Sequence, residues 1–180
     1  YHENHESNRG VPTWDNFWTN ISGTNRKLLE SDVVFLLGHG EANNMFWNYR
    51  RQGGNYDVSL ALGGLEHLGI YKIDNLDTGK IKLMYFGGCE TAKGGLSGDN
   101  IAKYAANTLK IDTTVGFQEE VDFEAVSIYT QNFQNGLLSG KTIQQSIDYA
   151  NQFNYVDNRV KNAYVFGNGS ARLPLYLKSY

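Results

Sequence analysis

Residues 81–95 read Ile81-Lys82-Leu83-Met84-Tyr85-Phe86-Gly87-Gly88-Cys89-Glu90-Thr91-Ala92-Lys93-Gly94-Gly95. The first seven, IKLMYFG, are almost wholly apolar and stop at glycine. A run this short and unalternating predicts a strand buried on both faces, as in a parallel sheet. Upstream, residues 33–38 (VVFLLG) repeat the pattern and are followed at once by His39-Gly40. Downstream, 111–117 (IDTTVGF) and 163–167 (AYVFG) supply two more core strands, and helical patterns fall at 98–109, 121–137 and 141–153. Strands alternating with helices predict an α/β fold with a mostly parallel sheet and helices on both faces. Residues 45–62 (MFWNYRRQGGNYDVSLAL) read as two strands around a Gly-Gly turn. Residues 14–30 carry apolar side chains at mixed helical spacing, broken by Gly23, and 63–76 are ambiguous. A polar arm or linker is expected at 1–12, with one domain over 13–180.

The chain has 180 residues, 41% hydrophobic and 19% charged, which suits one ordinary soluble domain. Its net charge is −3 and its pI about 5.8, with no basic block, so neither nucleic acid nor an anionic membrane is an expected partner. No apolar run reaches the roughly 18 residues of a membrane span. One cysteine excludes an intramolecular disulfide. Nineteen Asn and twelve Tyr form a polar-aromatic bias compatible with a bacterial secreted protein. The chain begins with Tyr1, which reads as an excised or processed piece, so flanking domains of the same chain are an open expectation.

In open parallel sheets, functional groups gather beyond the carboxyl ends of the strands. Two of the expected core strands end there in reactive residues, His39 and Cys89, separated by 50 positions. That interval leaves room for a hairpin and a crossover between neighbouring strands. A thiol acts as a nucleophile when a base or a lowered pKa activates it, and an imidazole at the next strand end supplies such a base. Gly40 lets the backbone approach closely, and its N–H, with that of Cys89, is placed to face an oxyanion. Gly87 and Gly88 are expected to keep the space before the thiol open. Taken singly, a cysteine after an apolar strand is commonly a small core residue and a strand-end histidine a structural one. The pair, each at its own strand end and flanked by glycine, favours catalysis.

An apolar strand ending in His-Gly, then a second ending in Cys, resembles the caspase-like cysteine peptidases, a group that includes caspases, metacaspases, legumain, separase, clostripain and gingipains. The segment GGCETAKGG is most similar to the nucleophile segment of bacterial CHAT domains. The likeness extends over about residues 31–176. The resemblance implies a three-layer caspase-like sandwich and a cysteine endopeptidase that needs no cofactor and no metal, with a peptide or protein as substrate. It implies a His39–Cys89 dyad, an oxyanion site formed by the Gly40 and Cys89 amides, and no obligatory third residue, so that Glu90 is free to cap the segment that follows. Members of the group have another core strand and helix before the His strand, whereas 32 residues precede Val33 here. Either that strand is missing from this piece or residues 10–30 supply it.

In the family, the turn after the third strand helps form the pocket for the residue before the cut. Here that turn, Gln118 to Glu124, is rich in carboxylates, with Asp122 and then Glu120 as pocket candidates. An acidic pocket selects Arg or Lys through charge-assisted hydrogen bonds. The competing role for these carboxylates is to cap the next helix. Two other functions stay open: a caspase-like fold used for binding or regulation without catalysis, and another thiol-dependent hydrolase or acyltransferase on the same frame. His67 reads as structural, and His2 and His5 as part of a solvated arm.

Overall fold

Four apolar runs form one sheet. Its strands are β1 (Val33–Leu37), β6 (Leu83–Gly87), β7 (Thr113–Phe117) and β8 (Ala163–Gly167), in the order β1-β6-β7-β8. The computed structural model describes residues 32–51, 54–61, 70–72 and 81–173. The arm at 1–12, the helical pattern at 14–30, the possible extra strand within 10–30, His67 and most of the ambiguous 63–76 stretch lie outside the described residues. β1 pairs parallel with β6, and β6 with β7; β8 runs antiparallel to β7. The sheet is therefore mostly parallel. Every residue of β6 and β7 is buried, which is why both read as uninterrupted apolar or small-residue runs.

A second four-stranded sheet begins directly after β1. It contains β2 (His39–Glu41), β3 (Asn44–Arg51), β4 (Gly54–Ala61) and β5 (Ile70–Lys72). β2, β3 and β4 are antiparallel neighbours, with Arg51 paired to Gly54; Gly54 belongs to β4, and the turn residues 52–53 lie outside the described residues. β5 joins β4 in parallel and falls inside the stretch that was ambiguous in sequence.

The three expected helices form with shorter bounds, each set by a capping side chain. In α1 (Ile101–Asn107), Asn100 accepts the Lys103 N–H at 2.8 Å. In α2 (Phe123–Leu138), Asp122 Oδ1 accepts the N–H groups of Glu124 and Ala125 at 2.9 and 3.1 Å. In α3 (Ile143–Ala150), Thr142 and Gln145 form a reciprocal capping box.

β6 divides its side chains between two apolar clusters, as the period-2 pleat requires. Met84 and Phe86 pack with Val34, Leu36 and the α1 residues Ile101, Ala102 and Ala105. Leu83 and Tyr85 pack with Val115, Phe117 and residues of α2 and α3. Tyr85 is the centre of the second cluster: its ring stacks on Phe133 at 5.4 Å and meets Phe117 edge-on at 6.0 Å, and its hydroxyl hydrogen-bonds Thr130 Oγ1 at 3.0 Å. This packing fixes β6, and with it the Gly88-Cys89 turn at its end. Among the described residues, no helix is long and apolar enough to cross a membrane.

Candidate active site

Two bends of the chain meet beyond the ends of β1 and β6. After β1, the Gly38 N–H donates to the Gly87 carbonyl at 3.3 Å and the chain turns into β2 through His39. After β6, the chain turns at Gly88-Cys89 and Glu90 takes up a left-handed φ of 56°, which a non-glycine residue adopts only when its surroundings impose it. The two turns touch backbone to backbone. A Cβ built on Gly40 would lie 2.6 Å from the Cys89 carbonyl oxygen and 2.8 Å from its nitrogen, and one on Gly88 would lie 3.0 Å from Gly40 Cα. Gly87 is closed off as well, by Leu37. The glycines therefore do not leave open space before the thiol, as their sequence suggested. They let two main chains pack where no side chain fits.

Thr91 pins the second turn. Its buried hydroxyl lies 3.0 Å from the carbonyls of Phe86 and Gly88 and accepts the Phe117 N–H at 3.2 Å. Further backbone bonds, Ala92 N–H to Phe117 O and Glu90 N–H to Glu119 O, lay the post-cysteine segment along the loop that follows β7.

The result is a cleft of about 620 Å³ lined by His39, Gly40, Cys89, Glu120 and Asp122. All five residues singled out from sequence thus face one space. His39 is exposed at the start of β2, so it opens a hairpin as well as following β1. Cys89 is half-buried between the cleft and the second apolar cluster. Its sulfur meets both polar groups of one residue: the thiol donates to the Val121 carbonyl at 3.4 Å, and the Val121 N–H donates to the sulfur at 3.5 Å. Glu90 pairs with Lys93 at 2.7 Å across its own turn. Asp122 lines the cleft while its Oδ1 caps α2.

Glu41, Glu90 and Arg159 also line the cleft, and sequence reasoning did not connect Glu41 or Arg159 with it. Arg159 Nε bonds Asp157 Oδ1 at 2.9 Å. Asp157 also accepts the Arg159 and Asp122 backbone N–H groups, and these bonds, the Arg159 side chain foremost, hold its carboxyl down to about 2. The Asp157-Asn158-Arg159 spacing is a recognisable side-chain-to-backbone turn, but nothing local tells which distant loop it grips. No family model matches the chain, and no curated protein matches it.

Proposed function

We propose that this chain is a cysteine endopeptidase of the caspase-like type, with Cys89 as nucleophile and His39 as its acid–base partner. The observation that carries the reading is the backbone contact between Gly40 and Cys89, which brings both reactive residues onto one cleft at adjacent strand ends. In the proposed reaction the Cys89 sulfur, its proton passed to His39, attacks the carbonyl carbon of the scissile peptide bond. The oxyanion is held by the Gly40 and Cys89 amides. His39 then gives its proton to the leaving amine as the C–N bond breaks, and water hydrolyses the thioester. The fold reading is the three-layer caspase-like sandwich, supported by the mostly parallel sheet and by the separate clusters that take α1 on one hand and α2 and α3 on the other. Three carboxylates on the cleft, Glu41, Glu120 and Asp122, with Glu90 paired to Lys93 and Arg159 to Asp157, favour a basic residue before the cut.

The test is cleavage of fluorogenic peptides with Arg or Lys before the scissile bond. Activity is expected from the chain as given, lost in Cys89→Ala and in His39→Ala. No cleavage across a broad peptide library, together with a Cys89 that iodoacetamide does not alkylate, overturns the reading.

A second reading, a caspase-like fold used for binding without catalysis, draws on the seat of the sulfur. The thiol proton is engaged by the Val121 carbonyl, and the side chain borders the apolar cluster. Peptide binding without turnover, unchanged in Cys89→Ala, is its expected signature.

A further inference from the structure

Asp157 accepts three kinds of contact at once. Its Oδ1 takes the Arg159 backbone N–H at 3.0 Å and Arg159 Nε at 2.9 Å, while its Oδ2 takes the Asp122 backbone N–H at 2.9 Å. That last N–H belongs to the same planar amide as the Val121 carbonyl, the group that accepts the Cys89 thiol. A peptide plane cannot turn its carbonyl without turning its N–H. The carboxylate of Asp157 therefore sets the direction of the carbonyl that the thiol meets.

Two peptide units face the sulfur with opposite preferences. The Val121 N–H, from the Glu120–Val121 unit, favours a thiolate; the Val121 carbonyl, from the Val121–Asp122 unit, favours a protonated thiol. Asp157 grips only the second. We infer that Asp157 is a positioning residue that, through the Val121–Asp122 peptide, holds the carbonyl against which the Cys89 thiol rests on the cleft. This rests on the proposed use of Cys89 as the nucleophile, and it adds the group that restrains it.

The test reads the sulfur directly, by the pH dependence of iodoacetamide alkylation of Cys89. The charged groups facing the cleft, His39 and Glu41 from β2 and then Glu90, Glu120, Asp122 and Arg159, are common to all variants compared. In Asp157→Asn the side-chain oxygen serves the Arg159 turn and the amide donor is left facing the Asp122 N–H, so the peptide plane is released. The pH of half-maximal alkylation is expected to fall by about half to one unit, the scale of one hydrogen bond. The fall should persist in 1 M NaCl, where the screening length is about 3 Å. Asp157→Glu keeps the charge but displaces the carboxylate, and is expected to show a smaller fall of the same sign. It carries the test if Asp157→Asn does not fold by far-UV circular dichroism. Wild-type behaviour in Asp157→Glu, or a shift in Asp157→Asn that vanishes in high salt, marks a plain charge effect and overturns the proposal. An unchanged profile in both folded variants overturns it too. Alkylation needs no peptide, so a chain that cleaves nothing sinks the peptidase reading while this result stands or falls separately.

Discussion

Gly40 and Cys89 are in main-chain contact, so close that a methyl group on residue 40 would overlap the Cys89 carbonyl oxygen at 2.6 Å. The reactive residues are brought together by a contact in which neither reactive group takes part. Gly40→Ala forces the two turns apart. It is expected to cost about 1–3 kcal/mol, as overpacking does, and to lower the thermal midpoint by roughly 2–4 °C per kcal/mol. If the chain is the proposed peptidase, cleavage should fall with it. A thermal melt and a peptide assay on the same preparation check both, and a variant matching wild type in each would refute the contact.

Thr91 closes the turn from behind. Thr91→Val keeps the shape but takes the hydroxyl from the buried Phe117 N–H and from the one carbonyl, Phe86 or Gly88, to which it donates, at about 1–3 kcal/mol. Urea titration should show a lower midpoint with an unchanged slope; a stability equal to wild type counts against this role.

Asp122 separates structure from specificity. Asp122→Ala removes the α2 cap and should lose about 1 kcal/mol of stability. Asp122→Asn retains a capping oxygen and should stay near wild-type stability. If the acidic cleft selects a basic residue, the Asn variant still loses kcat/KM toward Arg and Lys peptides, without a change in Cys89 alkylation. Equal kcat/KM for both proteins removes Asp122 from the pocket.

The alkaline limit is set in the core. Burial drives the hydroxyls of Tyr85 and Tyr129 well above the usual tyrosine value of 10.0. Unfolding frees both to ionise near pH 10, so above that the unfolded chain binds fewer protons and stability falls as pH rises. Each contributes a slope of up to about 1.4 kcal/mol per pH unit. Denaturant midpoints from pH 9 to 11.5, with tyrosinate absorbance followed in parallel, should show the two residues ionising only on unfolding. Ionisation of every tyrosine in the folded protein contradicts this.

At the acid end the sign reverses. Asp157 is held at about 2 against an ordinary 3.8, chiefly by Arg159. Its contribution is present above the unfolded value and is lost as pH falls through the folded one. The stability gap between wild type and Asp157→Asn should therefore shrink between about pH 4 and pH 2. Paired denaturation curves across that window test it; a constant gap argues against the Arg159 pairing.

The core strands were legible because β6 and β7 are buried on both faces, and burial leaves an apolar signature with no alternation; β1, buried at Val34 and Leu36 and half-buried at Val33 and Phe35, keeps the same apolar run. The orientation of β8 was not, since AYVFG reads the same in either direction and only its pairing with β7 decides it. β2 was missed for the opposite reason. His39-Gly40-Glu41 has no apolar residue, and its strand character comes from pairing with Asn44–Phe46. His39, Gly40, Cys89, Glu120 and Asp122 were visible as strand-end and turn chemistry. Arg159 and Asp157 were not, because Arg159 reaches the cleft, and Asp157 the Asp122 N–H, from 35 or more positions beyond Asp122, and no local periodicity encodes that distance.

Because β8 runs against β7, Ala163 lies beside Phe117 at the cleft end and Gly167 beside Thr113 at the other. The exposed Ser170 follows at that far pole, tied back to the start of α3 through the neighbouring backbone. With a single native thiol at one pole, Ser170→Cys in a Cys89→Ala background gives an attachment point, at the far pole from the cleft, for a fluorophore that can watch the domain unfold. With Cys89 retained instead, labels on the two thiols turn the sheet into a molecular ruler spanning the site and the base of the fold.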